Sequence, residues 1–402
     1  MIKRLGMILM TMVMVFLAPV TCLADDSKEP AYVVMDANTG VILESQHADE
    51  KYYPASTTKI LTIALALEYG NLDQTVVLDE HVRDRVEWDC SDAEMYPGEE
   101  VRLRDLIAAA SLWSANEACN GIAQLIDGSQ EAFVNRMNQK VSELGLQNTH
   151  FVTTNGLHDP EHYTTASDLA QLMRYCIGVQ GFRYWLSLDT YTIPKTNQHV
   201  ERELKQLNPL LQKDSAYYID GIQCAKTGFT DQAGNCMVAY YEKEGQGLIV
   251  VVLNEHDTLT RTTHIHDLFT NTLANSQYIK VERSLYEEML QPLQAQYLTL
   301  DGALQFHETS SLSGFTLPDD QTYQLEWESA HVLIGNQSHL GDIHILVDGT
   351  EIGSVAVYSQ GFVVSSIAFT CFLEGVSIVL LSGVLLYIAS GRIQSRHQTG
   401  SH

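Results

Sequence analysis

The stretch Tyr53-Pro54-Ala55-Ser56-Thr57-Thr58-Lys59, followed by the apolar run 60–67 (ILTIALAL), decides the fold. The run is apolar almost all round, which predicts a helix buried at the centre of a domain. Ser56 and Lys59 are three residues apart, so on a helix they share a face and the ammonium can lie beside the hydroxyl. Serine becomes a useful nucleophile only when a base takes its proton, and a buried lysine can be that base because desolvation disfavours its charged form.

Two further motifs follow along the chain. Ser114-Ala115-Asn116 offers a second hydroxyl that could relay a proton and an amide that could hold a substrate carbonyl. Lys226-Thr227-Gly228 ends a strand-like run, where glycine allows close approach of a substrate backbone and the other two residues suit a carboxylate. Each motif alone also fits a capping serine, a turn or an ordinary strand end. The three in this order are specific to class A β-lactamases and penicillin-binding proteins.

The sequence resembles the low-molecular-weight penicillin-binding proteins that are serine-type D-alanyl-D-alanine carboxypeptidases. The resemblance covers about residues 30–275 and extends more loosely through the segment that follows. Besides the three motifs, the matching stretches are 35–40 (MDANTG), 54–59 (PASTTK), 97–99 (PGE), 155–157 (NGL), 163–170 (YTTASDLA) and 220–222 (DGI).

The resemblance implies a D,D-carboxypeptidase that removes the terminal D-alanine from peptidoglycan stem pentapeptides through an acyl-enzyme on Ser56. β-Lactam antibiotics would acylate the same serine. Lys59 would be the base, and Ser114 would pass a proton to the leaving amine. The implied substrate-binding residues are Asn116, Lys226, Thr227, Gly228 and Phe229, and the backbone N–H groups of Ser56 and Phe229 would form the oxyanion hole. No cofactor and no metal is implied.

The chain departs from the family pattern in two places. The middle residue of Ser-x-Asn is Ala115, where relatives more often have glycine. After the run 248–253 the chain continues as Asn254-Glu255-His256, where many relatives have small residues and an arginine that helps to bind the substrate carboxylate. His256 and Arg261 are both candidates for that role.

Three other functions of the same fold compete with the carboxypeptidase. A class A β-lactamase needs a glutamate that activates the deacylating water, and Glu117 and Glu161 are the nearby candidates, neither of them in a convincing motif. A D,D-endopeptidase is poorly separated by sequence, although such enzymes usually lack a C-terminal anchor. A β-lactam-binding sensor would need a signalling domain.

Composition excludes other classes. The 402 residues carry a formal charge of −26, so phosphate backbones would repel the chain and nucleic-acid binding is not expected. Hydrophobic residues make up 45% and charged residues 18%, which is ample for a packed core and rules out a disordered chain. The sequence does not predict an oligomeric state.

The predicted architecture is an α/β (α+β) fold of the penicillin-binding and β-lactamase type, with an antiparallel sheet and a helical insert. A hairpin at 32–44 and strands at 217–227, 236–242 and 247–253 would form the sheet, and helices at 103–126, 129–144 and 167–176 the insert. The peptidase domain would span 28–278. A small all-β domain would span 285–360, with hairpin turns at Asp301-Gly302 and Asp348-Gly349.

Both ends of the chain predict export and membrane attachment. Residues 1–24 have the pattern of a signal peptide, with Lys3 and Arg4 before a short apolar run and small residues before a cleavage point at Ala24. Residues 363–389 are long and apolar enough for a membrane helix, and Arg392 in the tail 390–402 would stay in the cytoplasm. The enzyme would then be a single-pass membrane protein with its catalytic domain outside. In that oxidising environment Cys224 and Cys236 could form a disulfide across a hairpin, and the strand register decides whether the two residues face each other.

Overall fold

A computed structural model describes residues 28–299 and 304–397, with side chains as far as Ser382. The helices are α1 (Lys59–Tyr69), α2 (Leu103–Leu112), α3 (Asn116–Asp127), α4 (Gln130–Glu143), α5 (Ala166–Cys176), α6 (Phe182–Ser187), α7 (Thr258–Ala274), α8 (Arg283–Gln296) and α9 (Ser366–His397). A short 3-10 turn, Ala55–Thr58, leads directly into α1.

The strands of the first part are β1 (Ala31–Asp36), β2 (Ile42–Gln46), β3 (Thr75–Val77), β4 (Glu100–Arg102), β5 (Thr190–Ile193), β6 (Arg202–Lys205), β7 (Ile222–Thr230), β8 (Gly234–Lys243), β9 (Gln246–Glu255) and β10 (Ser276–Lys280). Those of the second part are β11 (Tyr297–Thr299), β12 (Phe306–Ser310), β13 (Gly314–Pro318), β14 (Tyr323–Ser329), β15 (Ile334–Asn336), β16 (His339–Val347), β17 (Thr350–Ser359) and β18 (Phe362–Ser365).

A five-stranded sheet in the order β2-β1-β9-β8-β7 is the centre of the first part, and all its pairings are antiparallel. Alternate residues of β9 enter different cores: Ile249, Val251 and Leu253 face the helices of the insert, while Val250 and Val252 face α7. A sheet covered on both faces needs such continuous apolar strands. The antiparallel sheet with a helical insert, predicted from sequence, is therefore confirmed.

Helix α1 lies at the middle of the insert, and every residue from Lys59 to Ala66 is buried. This confirms the prediction from its apolar run. The prediction of a single helix over 103–126 is wrong, because the helix is interrupted between α2 and α3. Ser114 adopts a left-handed backbone conformation (φ 55°) in that break, and a helix cannot continue through such a residue.

The second part contains a four-stranded sheet in the order β12-β17-β16-β14 and a three-stranded sheet in the order β11-β18-β15. The hairpin predicted at Asp348-Gly349 joins β16 to β17, whereas Asp301-Gly302 lies outside the described residues, as does the predicted signal peptide. The segment predicted as all β begins with helix α8. Tyr286, Leu290 and Leu293 of α8 are buried in the core of this part, and their spacing is the helical signal that the prediction overlooked.

The two parts are tied together by a buried carboxylate and by a strand pair. Strand β10 pairs with β13. Asp36 is fully buried at the end of β1, and its side chain accepts hydrogen bonds from the backbone N of Thr39 (2.7 Å) and of Thr316 (2.8 Å). Because a buried charge needs such donors, Asp36 explains why the MDANTG stretch matters to the fold.

Cys224 and Cys236 are both free thiols. Cys224 lies opposite Tyr240 on β8, and Cys236 lies opposite Gly228 on β7, so the two cysteines are not cross-strand neighbours. The register therefore decides against the disulfide that the sequence left open. Helix α9 covers the predicted membrane segment 363–389 except for its first three residues, which belong to strand β18. Among the residues whose side chains are described, no helix is long and apolar enough to cross a membrane, and the membrane helix stays a prediction.

Candidate active site

Ser56 and Lys59 lie side by side at the start of the central helix. Ser56 is in the 3-10 turn and Lys59 is the first residue of α1. Lys59 Nζ donates a hydrogen bond to Ser56 Oγ at 2.7 Å. The spacing of three residues therefore produces the contact that an activated serine requires.

Lys59 is fully buried, and its ammonium group has three hydrogen-bond acceptors, one for each of its hydrogens. Besides Ser56, Nζ donates to Asn116 Oδ1 at 2.8 Å and to the backbone O of Asn155 at 2.7 Å. Burial lowers the pKa of Lys59 to about 8, against the opposing attraction of nearby acidic groups, first Cys119 and then Glu117. A lysine with such a pKa can release and accept a proton near neutral pH.

The second and third motifs contact each other through Lys226 and Ser114. Lys226 Nζ donates to Ser114 Oγ at 2.9 Å and to the backbone O of Thr227 at 2.9 Å. Burial lowers the pKa of Lys226 well below its ordinary value, and the charge of Lys59 acts in the same direction. Each of the two serines, Ser56 and Ser114, thus has a buried lysine in contact with its hydroxyl.

Gly228 allows strand β7 to pass close to the nucleophile. A Cβ atom at this position would lie 2.8 Å from the backbone N of Ser56 and 3.0 Å from that of Thr57, distances that real Cβ atoms do not tolerate. The strand that carries Phe229 therefore lies against the N–H of Ser56. This is the geometry that the predicted oxyanion hole needs.

The backbone around the serine is strained at non-glycine positions. Ala55 (φ 47°) and Ser114 (φ 55°) both have left-handed conformations, which cost free energy and cluster at functional sites. Gly156 (φ 88°) packs against this strained turn, and a Cβ there would lie 1.9 Å from the backbone O of Ala55. The loop at Asn155-Gly156 therefore both accepts a hydrogen bond from Lys59 and holds the turn that presents Ser56.

A cleft of about 1080 Å³ opens above these groups. The predicted site residues among its lining are Ser56, Ser114, Asn116, Thr227, Gly228 and Phe229. Lys59 and Lys226 lie beneath them, buried. The amide of Asn116 donates to the backbone O of Ser91 at 3.0 Å, and because an amide nitrogen carries two hydrogens, one remains for a ligand.

Both candidates for the carboxylate anchor line the cleft. Arg261 is 5% exposed, and its Nε has no hydrogen-bond partner among the described residues. His256 is exposed at the rim. Neither glutamate considered for a β-lactamase lines the described cleft. Glu117 is fully buried and accepts a hydrogen bond from the backbone N of Ala93, and burial raises its pKa to about 7.

Two contributors were missed by reasoning from the sequence. Asn155 was quoted only as part of a matching stretch, yet its backbone O is one of three acceptors for Lys59. His162 is buried, with its Nε2 2.9 Å from Thr58 Oγ1. Burial lowers its pKa to about 3, so the ring is neutral and supports the turn. A backbone acceptor and a buried imidazole leave little signal in a single sequence.

Comparison with known proteins decides the family. A family model described as D-alanyl-D-alanine carboxypeptidase (peptidase S11) matches residues 19–257. The chain belongs to this family. D-alanyl-D-alanine carboxypeptidase DacF of Bacillus subtilis is 29% identical over 252 residues, which are 61% of this chain and 62% of that protein. DacA of Escherichia coli is 34% identical over 232 residues, 56% of this chain and 55% of that protein.

This chain thus spans less than two thirds of those two relatives. Solved structures extend the likeness into the second part. Penicillin binding protein 5 from Haemophilus influenzae superposes with a TM-score of 0.65 at 25% identity, over 83% of this chain and 97% of that one. The penicillin-binding type of fold predicted from sequence is confirmed.

Proposed function

We propose that this protein is a serine D,D-carboxypeptidase that removes the terminal D-alanine from peptidoglycan stem pentapeptides. The observation that carries the proposal is the buried contact of 2.7 Å between Lys59 Nζ and Ser56 Oγ, with the pKa of Lys59 lowered to about 8. The names of the relatives agree with this activity. β-Lactams would acylate the same serine, and their slow release would inhibit the enzyme.

Acylation begins when neutral Lys59 takes the proton of Ser56. The freed oxygen attacks the carbonyl carbon of the penultimate D-alanine, and the backbone N–H groups of Ser56 and Phe229 stabilise the negative oxygen. Ser114 passes a proton to the amine of the terminal D-alanine as the peptide bond breaks, and the proton that Lys59 took from Ser56 replaces it, so that Lys59 is neutral again. Water then hydrolyses the ester on Ser56 and frees the shortened peptide.

The terminal carboxylate of the substrate would be bound at the Lys226–Thr227 end of the cleft, and we assign its further anchor to Arg261. This residue is buried at the cleft, and its Nε has no hydrogen-bond acceptor in the described part of the chain; leaving a buried guanidinium donor unused costs free energy. A carboxylate supplies the missing acceptor and the opposite charge.

Replacing Arg261 with glutamine is expected to raise KM for a D-Ala-D-Ala peptide by about 10-fold or more, since a hydrogen bond to a charged group contributes roughly 1.5–3 kcal/mol. The value of kcat should change much less. His256→Asn is the matched control, with KM unchanged. If His256 were the anchor instead, its variant would raise KM and Arg261→Gln would leave KM unchanged.

We also propose that the catalytic part lies outside the cytoplasmic membrane, held there by the apolar segment of α9. The support is the apolar composition of residues 363–389 and the absence of Lys and Arg from position 284 to position 391, followed by Arg392. Peptidoglycan stem peptides lie on that side, so the location agrees with the proposed substrate.

The test is release of free D-alanine from diacetyl-Lys-D-Ala-D-Ala by the full chain, with a Ser56→Ala variant beside it. The proposal predicts one D-alanine per peptide, no release by the variant, and inhibition by benzylpenicillin. A cross-linked muropeptide dimer is offered in parallel. Cleavage of the dimer without release of D-alanine from the pentapeptide analogue would show an endopeptidase and refute the proposal.

A further inference from the structure

Among the described residues, the three-stranded sheet β11-β18-β15, just before helix α9, has an exposed apolar face. Register places Leu298, Val364 and Ile334 directly opposite one another across the three strands. Residues opposite each other in antiparallel strands point to the same face. Phe362, two residues before Val364, points to that face as well. These four side chains are called the apolar row below.

The apolar row points away from the protein. Ile334 is 60% exposed, Leu298 44% and Phe362 38%, whereas Val363, which points the other way, is fully buried in the core. Leu333, next to Ile334, is 60% exposed as well. Aliphatic and aromatic side chains grouped on one face of a sheet mark a contact surface.

The apolar row lies directly before α9 in the chain, and this position indicates which surface it contacts. Ser365 ends β18 and Ser366 begins α9, so the sheet and the helix are consecutive in the chain. Ser366 Oγ donates to the backbone O of Ala295 and of Gln296 (both 2.9 Å), which fixes the helix start beside the strand that carries Leu298. Beyond it, exposed apolar side chains continue along α9, including Ile367, Phe372, Ile378 and Val379. The apolar row and the exposed apolar side chains of α9 therefore follow each other directly along the chain.

The charges of this part of the protein indicate which kind of membrane contact it can make. Positions 284–391 contain twelve Asp and Glu and no Lys or Arg, so this part of the protein has no permanent cation with which to hold anionic headgroups. Its attraction for a bilayer must come from burial of apolar surface.

We propose that the apolar row inserts into the lipid bilayer beside α9. The small sheet then lies in the membrane interface and fixes the orientation of the catalytic part relative to the bilayer. The inference rests on the proposed membrane attachment through α9. Helix α9 alone would hold the protein only at its first residue, through the chain and the hydrogen bonds of Ser366, whereas a second apolar contact further restricts the tilt of the protein on the bilayer.

The test measures the depth of bimane labels in the full chain reconstituted in phosphatidylcholine vesicles. Cys22, Cys90 and Cys371 are replaced by serine, which leaves the buried Cys119, Cys176, Cys224 and Cys236, each 0% exposed. Single cysteines are then introduced as Ile334→Cys in the apolar row, Val379→Cys on α9 and Asp348→Cys as the control. Asp348 is exposed at the hairpin before β17, whose length puts it about 30 Å from the end that leads to β18.

The proposal predicts that nitroxide-bearing lipid quenches the labels at 334 and 379 but not the label at 348, and that aqueous iodide quenches position 334 about threefold less than position 348. Quenching at 334 by iodide as strong as at 348 would overturn it. Shielding of 334 from both quenchers would overturn it in favour of contact with a second copy of the chain. Lipid quenching at 379 without quenching at 334 refutes this inference alone, and no lipid quenching at 379 refutes the proposed attachment itself. Neither outcome touches the carboxypeptidase activity, which is measured separately as D-alanine release.

Discussion

Replacing Lys59 with alanine is expected to lower the rate of Ser56 acylation by roughly 100- to 10 000-fold, the contribution of a positioned general base. The variant loses the group that lies 2.7 Å from Ser56 Oγ. Stopped-flow acylation by a fluorescent penicillin measures the rate directly. Lys59→Arg is expected to be as inactive, because a guanidinium keeps its proton throughout the accessible pH range.

Lys140→Ala is the matched control for a lysine removed from the same part of the protein. Lys140 lies on α4 and pairs with Glu143 at 3.2 Å, so its loss should leave acylation unchanged. Full acylation by either Lys59 variant would show that another group is the base.

The pH dependence of acylation follows from the same residue. Lys59 acts as a base only when neutral, and with a pKa of about 8 about one molecule in ten is in that form at pH 7. The neutral fraction grows as pH rises, so kcat/KM should increase about tenfold per pH unit below 7 and level off above about 8. A rate that is flat from pH 6 to pH 9 would contradict the assignment of Lys59.

Replacing Gly228 with valine is expected to reduce acylation by roughly 100- to 1000-fold, the loss measured when one oxyanion-hole donor is removed. The new side chain would meet the backbone of Ser56 and Thr57 at about 3 Å, and backbone cannot move aside as a flexible side chain can. Strand β7 must shift away from the serine, and the two N–H groups of the oxyanion hole separate.

Gly361→Val is the control, because a Cβ at Gly361 meets nothing within 4 Å. Thermal unfolding of both variants shows whether a loss of acylation comes from a displaced strand in a folded protein or from a protein that fails to fold. Normal acylation by folded Gly228→Val would mean that the oxyanion is stabilised elsewhere.

Local patterns were enough to predict the centre of the site. The contact of Ser56 with Lys59 follows from helical spacing, and the buried position of α1 follows from a run that is apolar on all sides. Strands β8 and β9 could be predicted because a sheet covered on both faces leaves continuous apolar runs. The break at Ser114 could not, since a single residue with a left-handed conformation has no signature in the surrounding helical sequence.

Long-range contacts were not accessible from periodicity. Lys226 contacts Ser114 across 112 positions of the chain, and only the resemblance to a family placed these two motifs together. The support of Lys59 by the backbone O of Asn155 was missed because backbone acceptors carry no side-chain signal. The sequence left a Cys224–Cys236 disulfide open because strand register sets which cysteines face each other, and turn geometry sets the register.

The most direct test of the central claim is the site of the covalent adduct. The full chain is incubated with benzylpenicillin, denatured, digested and analysed by tandem mass spectrometry. The account predicts a penicilloyl group on Ser56 and on no other residue, and none in the Ser56→Ala variant. An adduct on Ser114, or none on wild-type protein that is folded, would contradict it.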